Sequence, residues 1–402
     1  MRKFIIVGLT LMLAAAGWRF APAQPPSGVA QQQDPPCAYV LLPYRNANTT
    51  CIELVYDDVP PDRAVPELGA LAIAPDGTLY VLNVAHGEVW SMRDTDGDRF
   101  MEPAERVTGG LRLPTGAAYY DGALYVVDLD GIARVDDLDG DATVTRLVDG
   151  WAIDTGLWTG GIGVGPDERL YVSTGAPCGA CADVAEGRGA LISYALDGSD
   201  RRVEATGLRA PADFAWNPAT GDLWILDQSR AVIAGESARP PDELNRFEAG
   251  ADYGYPFCYG GQQIDPVLAP PSGIDCSQTD GPADLFPYQS SPSGAAFYTG
   301  AAFPGWQGDL LVAFNGSWNL PEPAGYAVVA LAFADGLPRG TFDYLAPASD
   351  DPDTFSLTQT SLMGRGFYPF HPVDVAVDGQ GWIYVSVQEG RIYRIRPRVV
   401  VR

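Results

Sequence analysis

The sequence runs to 402 residues, with 51 acidic against 26 basic side chains and a formal net charge of -25. So strong a negative balance repels nucleic acid and anionic membrane surfaces and leaves small ligands and cations as partners. Lysine occurs only at position 3, which excludes chemistry built on a Schiff-base or phosphate-clamping lysine farther along the chain and leaves the cationic work to arginine.

Residues 1–23 carry Arg2 and Lys3, an apolar run from Phe4 to Gly17 and the small-residue site Ala21-Pro22-Ala23, the pattern of a secretory signal peptide. The run is shorter than a membrane span needs, and no later stretch qualifies. The expectation is an exported protein, periplasmic or extracellular, without membrane insertion. Residues 24–36 read as a Pro/Gln-rich linker. Six cysteines in an exported chain form three disulfides most simply, although the sequence permits 15 pairings. Proximity suggests Cys37 with Cys51, stapling an N-terminal segment at 37–64, then Cys178 with Cys181 and Cys258 with Cys276. The Cys-x-x-Cys at 178–181 has no second cysteine pair or histidine cluster beside it, so a loop staple is favoured over a zinc or redox site.

From about residue 65 one pattern recurs: an apolar strand, a turn on Asp-Gly or its equivalent, then a strand like Leu-Tyr-Val. It appears around Asp76-Gly77, Asp121-Gly122, Asp167-Glu168, Thr220-Gly221, Gly308-Asp309 and Asp378-Gly379. Such turns between alternating apolar strands mark hairpins. A period of about 45 residues among the early copies matches a four-stranded blade whose apolar faces only a neighbour can cover. The fold expected is all-β, a six-bladed β-propeller over 65–398, with a long Pro/Gly/Cys-rich insertion at about 229–291.

Asp94, Asp96 and Asp98 alternate along one turn, with Glu102 and Glu105 following. This is an oxygen-rich pattern suited to calcium, and ordinary solvated turns are the alternative. Asp137, Asp139 and Asp141 repeat the short motif one blade later. His86 and His371 are the only histidines. They assemble no Ser-His-Asp arrangement and no histidine zinc site, and the chain has no Gly-rich phosphate cradle.

Several motifs in order are similar to the glucose/sorbosone dehydrogenase family. They are Ala205-Thr-Gly-Leu-Arg209-Ala-Pro211 with Asn217 to Trp224, Pro241 to Asn245, Gly250 to Gly261, Gly294 to Gly300, Asn315 to Asn319, and His371-Pro-Val-Asp-Val with Gly390 to Ile395. The resemblance covers residues 65 to 396. It implies an exported six-bladed propeller that uses pyrroloquinoline quinone (PQQ) with calcium to oxidise the anomeric carbon of sugars. A histidine would be the general base, and basic residues would hold the cofactor's three carboxylates. Against that pattern Leu157 replaces the expected base, Thr115 a histidine, Ala210 an asparagine, Asn315 a histidine and His371 an arginine. Arg209 is kept and, with Asn315 and His371, is a candidate cofactor contact. The resemblance also associates Asp242, Glu243 and Tyr253 with a structural calcium. His371 could substitute for the lost base from another blade. Three readings follow: a PQQ-dependent sugar dehydrogenase, a catalytically degenerate calcium-stabilised propeller that binds a sugar, a cation or a protein, and a calcium-dependent lactonase-like hydrolase. Positions 115, 157, 210, 315 and 371 discriminate among them. Neutral groups lining the pocket there favour the second.

Overall fold

The computed structural model describes residues 50–57, 68–97, 101–151, 156–157, 160–230, 239–268, 274–317, 320, 323–346, 367 and 370–397. The expected signal peptide, the linker, Cys37 and Asp98 lie outside the described residues. Every strand belongs to the unit Pro36–Arg402.

Strand β1 (Thr50–Asp57) comes first in the chain. The first blade is β2 (Leu68–Ile73), β3 (Leu79–Asn83), β4 (Glu88–Met92) and β5 (Glu105–Gly109), and the second is β6 (Gly116–Tyr120), β7 (Ala123–Asp128), β8 (Gly131–Asp136) and β9 (Thr143–Val148). The third blade is β10 (Ile162–Val164), β11 (Arg169–Thr174), β12 (Ala190–Ala195) and β13 (Arg202–Ala205). The fourth joins β14 (Pro211–Trp216), β15 (Leu223–Asp227) and β16 (Asp242–Arg246) to β19 (Asp284–Phe286), around a separate ribbon of β17 (Cys258–Tyr259) and β18 (Gln263–Ile264). The fifth is β20 (Pro292–Phe297), β21 (Leu310–Phe314), β22 (Ala327–Ala334) and β23 (Leu337–Ala346). The sixth takes β24 (Pro372–Val377), β25 (Ile383–Val387) and β26 (Arg391–Pro397), then closes with β1. The molecule is therefore the all-β, six-bladed propeller expected.

Two features differ from the sequence expectation. Within segment 37–64, Thr50–Asp57 is the outer strand of the last blade, antiparallel to β26. The supposed excursion at 229–291 contains β16 and β19, two strands of blade four.

Local chemistry explains the blades. The hairpin joining β6 and β7 turns on Asp121 and Gly122, whose φ angles are 47° and 83°. Positive φ at both positions is what a two-residue turn requires. The second strands β3, β7, β15, β21 and β25 are buried at every residue, because neighbouring blades cover both faces of each sheet. Among the described residues, the apolar core consists of six clusters, each joining two adjacent blades. Tyr80, Leu82, Leu124 and Val126 join the first two, and Leu79, Val81, Tyr384 and Ile392 join the first to the last. The first strands β2, β6, β10, β14, β20 and β24 contact one another in sequence around the axis, and β24 returns to β2.

The ring is closed by charge as well as by pairing. Glu53 of β1 accepts from Arg394 Nε and Nη2 at 2.9 and 2.7 Å on one oxygen, and from Arg396 Nε and Nη2 at 2.9 and 2.6 Å on the other. All three side chains are buried. The Arg394 guanidinium also lies over the Trp382 ring, 4.8 Å from its centroid. Removing one partner of a buried ion group strands the others. Glu53→Gln should therefore cost about 3–5 kcal/mol in urea denaturation. A loss below about 1 kcal/mol would mean that strand pairing alone closes the ring.

Candidate functional site

One end of the axial channel opens into a cavity of 340 Å³. The structure brings Thr115, Leu157, Ala210 and Asn315 together in its wall, from four successive blades or the loops that precede them. Leu68 and Val84 add apolar surface, and Gln228 and Gln388 add neutral amides. Among the described residues, none lining this cavity carries a charge.

Backbone bonds fix these positions. Thr115 N–H donates to Val127 O at 2.9 Å and Leu157 N–H to Ala176 O at 2.9 Å. Arg209 and Ala210 N–H both donate to the buried Asp227 carboxylate, at 2.9 and 2.6 Å, which turns the Ala210 methyl into the cavity wall. Burial pushes Asp227 up to about 6. Asn315 Nδ2 reaches across to Pro372 O at 2.9 Å, tying the fifth blade to the sixth.

His371 is not in the cavity wall. Its Nδ1 lies 3.0 Å from Asn315 O, and because a carbonyl can only accept, Nδ1 carries the proton. Nε2 lies 3.9 Å from Glu389 Oε1, the His371 backbone N–H donates to Glu389 Oε2 at 2.9 Å, and the ring packs 4.7 Å from that of Tyr326. Burial holds the imidazole below its ordinary value, hence neutral, and pushes Glu389 up to about 7. His371 thus buttresses Asn315 from behind.

Arg209 is also directed elsewhere. Its guanidinium donates to the carbonyls of Gly179, Gln228 and Ser229 at 3.2, 2.9 and 3.0 Å. It lines a second, 20 Å³ cavity together with Glu243 and Tyr253. Glu243 accepts from Gly260 N–H at 2.7 Å and from Asn245 Nδ2 at 3.3 Å, and burial pushes it up to about 7. The Tyr253 hydroxyl donates to Arg246 O at 2.6 Å, so the phenol is occupied within the fold. Asp242 accepts from Ser229 and Ser291 N–H and from Ser290 Oγ, and burial likewise pushes it up to about 7. Disulfides Cys178–Cys181 and Cys258–Cys276 staple the surrounding loops. Cys51 is disulfide-bonded to a partner outside the described residues.

The aspartate turn gathers Asp94 and Asp96 with Glu102, their carboxylate oxygens within 4.8 Å of one another. Glu105 is not in the group, since it opens β5 as an exposed residue opposite Ser91. Glu102 already accepts Thr95 N–H at 2.9 Å, and Asp94 accepts Gly97 N–H at 2.7 Å. His86 is a loop residue with Nδ1 3.1 Å from Asn83 Oδ1.

Sequence reasoning passed over two groups. Asp213 and Asp374 line a 140 Å³ chamber on the axis that shares Thr115, Ala212, Ser293 and Val373 with the mouth cavity. Their signal was available, because both stand third in Pro-x-Asp at the start of a first strand, and Pro292-Ser293-Gly294 is the same motif with glycine.

Residues 158–316 match the Glucose / Sorbosone dehydrogenase family, and residues 357–395 match Strictosidine synthase-like, N-terminal. The chain is 30% identical over 118 residues to the Aldose sugar dehydrogenase YliI of Escherichia coli (strain K12), covering 29% of each protein. The aligned stretch thus spans less than a third of that relative's own length. Similar solved structures include a Trichoderma reesei carbohydrate-active enzyme of family AA12, with TM-score 0.72, 20% identity and coverage of 90% of this chain and 99% of that one. The holo Pyranose Dehydrogenase PQQ domain from Coprinopsis cinerea has TM-score 0.66 and 16% identity over 88% of this chain and 97% of that one.

Because Glu389 is raised in the folded state, its contribution to stability is present below about pH 4.5 and is lost as pH rises through about 7. Glu389→Gln should abolish that loss. Between pH 5 and 8 the variant should gain roughly 1–2 kcal/mol relative to the parent in denaturant melts, once solvent screening is allowed for. A constant difference across the range would place the Glu389 carboxyl in water.

Proposed function

We propose that this chain, a β-propeller of the glucose/sorbosone dehydrogenase family, is an exported ligand-binding propeller that does not oxidise sugars. The observation that carries this reading is the uncharged wall of the mouth cavity. PQQ brings three carboxylates and needs cationic donors to replace their hydration. Thr115, Leu157, Ala210 and Asn315 offer none, and Arg209, whose Nε and Nη1 donate to three backbone carbonyls, is not among the lining residues. The described residues therefore do not fit that cofactor. Leu157 cannot accept a proton, and His371 stands behind Asn315 with Nδ1 engaged. Loss of a positioned general base alone costs about 10²–10⁴ in rate. The disulfides support an oxidising compartment.

Wild-type protein titrated with PQQ and calcium, then assayed on a panel of aldoses with an artificial electron acceptor, should show neither saturable binding nor turnover above background. Robust turnover would sink this reading and restore the dehydrogenase. Leu157→His combined with Ala210→Asn gives the complementary measurement, in which gain of activity would mark those two substitutions as the cause of the loss.

We further propose that calcium stabilises the fold through Asp94, Asp96 and Glu102, or through the Glu243 region, since a ligand held only by the native state raises its stability by mass action. Melting temperature should rise by several degrees in calcium relative to chelator. Superimposable curves would make both carboxylate groups ordinary structural features.

A further inference from the structure

We propose that the mouth cavity and the axial chamber beneath it form one two-compartment site for a small organic monocation. Its apolar body would rest against Leu68, Val84, Leu157 and Ala210, and its ammonium head would be directed toward Asp213 and Asp374. This rests on the reading of the mouth as a binding site rather than a dehydrogenase centre, and it names the class of ligand.

The two spaces, 340 and 140 Å³, share four wall residues and so adjoin. The upper one falls within the usual range for small-molecule pockets, about 300–1,000 Å³. Polarity divides them. The upper wall is apolar and neutral, whereas the chamber holds two carboxyls and no basic side chain among the described lining residues. No arginine or histidine of either lining faces Asp213 or Asp374, and each has the other as its one titratable neighbour in the chamber wall.

The fold builds the carboxyls into place. Asp213 Oδ2 accepts Ala295 N–H from the fifth blade at 2.8 Å, and Asp374 Oδ2 accepts Leu71 N–H from the first blade at 2.7 Å. On the preceding blade each one packs against a glycine, Gly161 or Gly294, where any Cβ would collide with the carboxylate. Each carboxyl is thus held between a backbone amide of the following blade and a glycine of the preceding one. Burial raises both above the usual carboxylate range, and Asp213 further because Asp374 repels it. The pair accordingly retains a proton that a bound cation would displace. Thr115, at the junction, has a buried hydroxyl oxygen without a hydrogen-bond partner in the fold. An anion entering the mouth would meet carboxyls with no basic side chain beside them among the described lining residues, whereas a bare metal ion would leave the apolar compartment unfilled.

The test uses three probes of one shape: cyclohexylmethylamine, cyclohexylmethanol and cyclohexanecarboxylate, titrated calorimetrically into the full chain at pH 8. The amine should bind at least about tenfold more tightly than the alcohol, and the carboxylate should not bind. Amine affinity should fall as pH drops from 8 to 5.5, as protons compete for the pair, while alcohol affinity stays level. Asp213→Asn and Asp374→Asn should each weaken the amine about tenfold. Ala210→Phe fills the mouth without touching the chamber and should abolish binding, which keeps the test decisive should the asparagine variants not fold. Equal binding of amine and alcohol, no amine binding, or calcium bound in the chamber in its place would overturn the proposal. PQQ-dependent turnover measured alongside would overturn the underlying reading instead, so the two failures are distinguishable.

Discussion

The contact on which everything else depends is Glu53 held between Arg394 and Arg396. A propeller has no core apart from the seams between blades, and here each of the six apolar clusters belongs to two neighbours. If the ring opens at the sixth blade, the seam holding Leu79, Val81, Tyr384 and Ile392 loses one wall. The axial chamber then loses its definition, because Asp374 reaches from the sixth blade to Leu71 in the first. A buried carboxylate with two guanidiniums adds little net energy over an apolar packing of equal volume, but it accepts one register only. Its worth here is positional, because it sets where β1 lies against β26.

The family frame and the uncharged mouth are compatible once scaffold and site are considered separately. Residues within the matched stretch 158–316 supply turns, seams and loop staples: Gly207 closing against Tyr253 and Gly254, Tyr255 donating to Cys178 O, and Asp227 gathering two amides. The mouth, by contrast, is lined by the uncharged Thr115, Leu157, Ala210 and Asn315. Such a division is expected where a fold is retained and its site is free to change, since function resides in the residues grafted onto a frame.

Much of this was legible in the sequence, for reasons that particular residues make plain. The hairpins could be read because Asp121-Gly122 and its equivalents impose local backbone geometry that no distant contact is needed to establish. The membership of Thr50–Asp57 in the sixth blade could not, since its partners lie more than 330 residues away. The fate of Arg209 was equally hidden. Its three acceptors are backbone carbonyls, which every residue possesses and which composition cannot flag. Glu102 rather than Glu105 joins Asp94 and Asp96 because the strand begins at Glu105 and carries it away from the turn. Asp213 and Asp374 were missed although their Pro-x-Asp motif repeats, because a carboxylate on a first strand gains meaning only when six such strands meet on an axis.

The sixth blade draws strands from both ends of the folded unit, and this bears on how the protein comes into being. During synthesis the first five blades can assemble in order, each docking on the one before it. The outward faces of blades one and five, with Leu68, Leu71 and Leu311 among their apolar residues, remain uncovered until Arg391–Pro397 emerges and meets β1. The nascent chain therefore carries two adhesive surfaces until β26 is made, and a chaperone that delays folding would protect it over that interval.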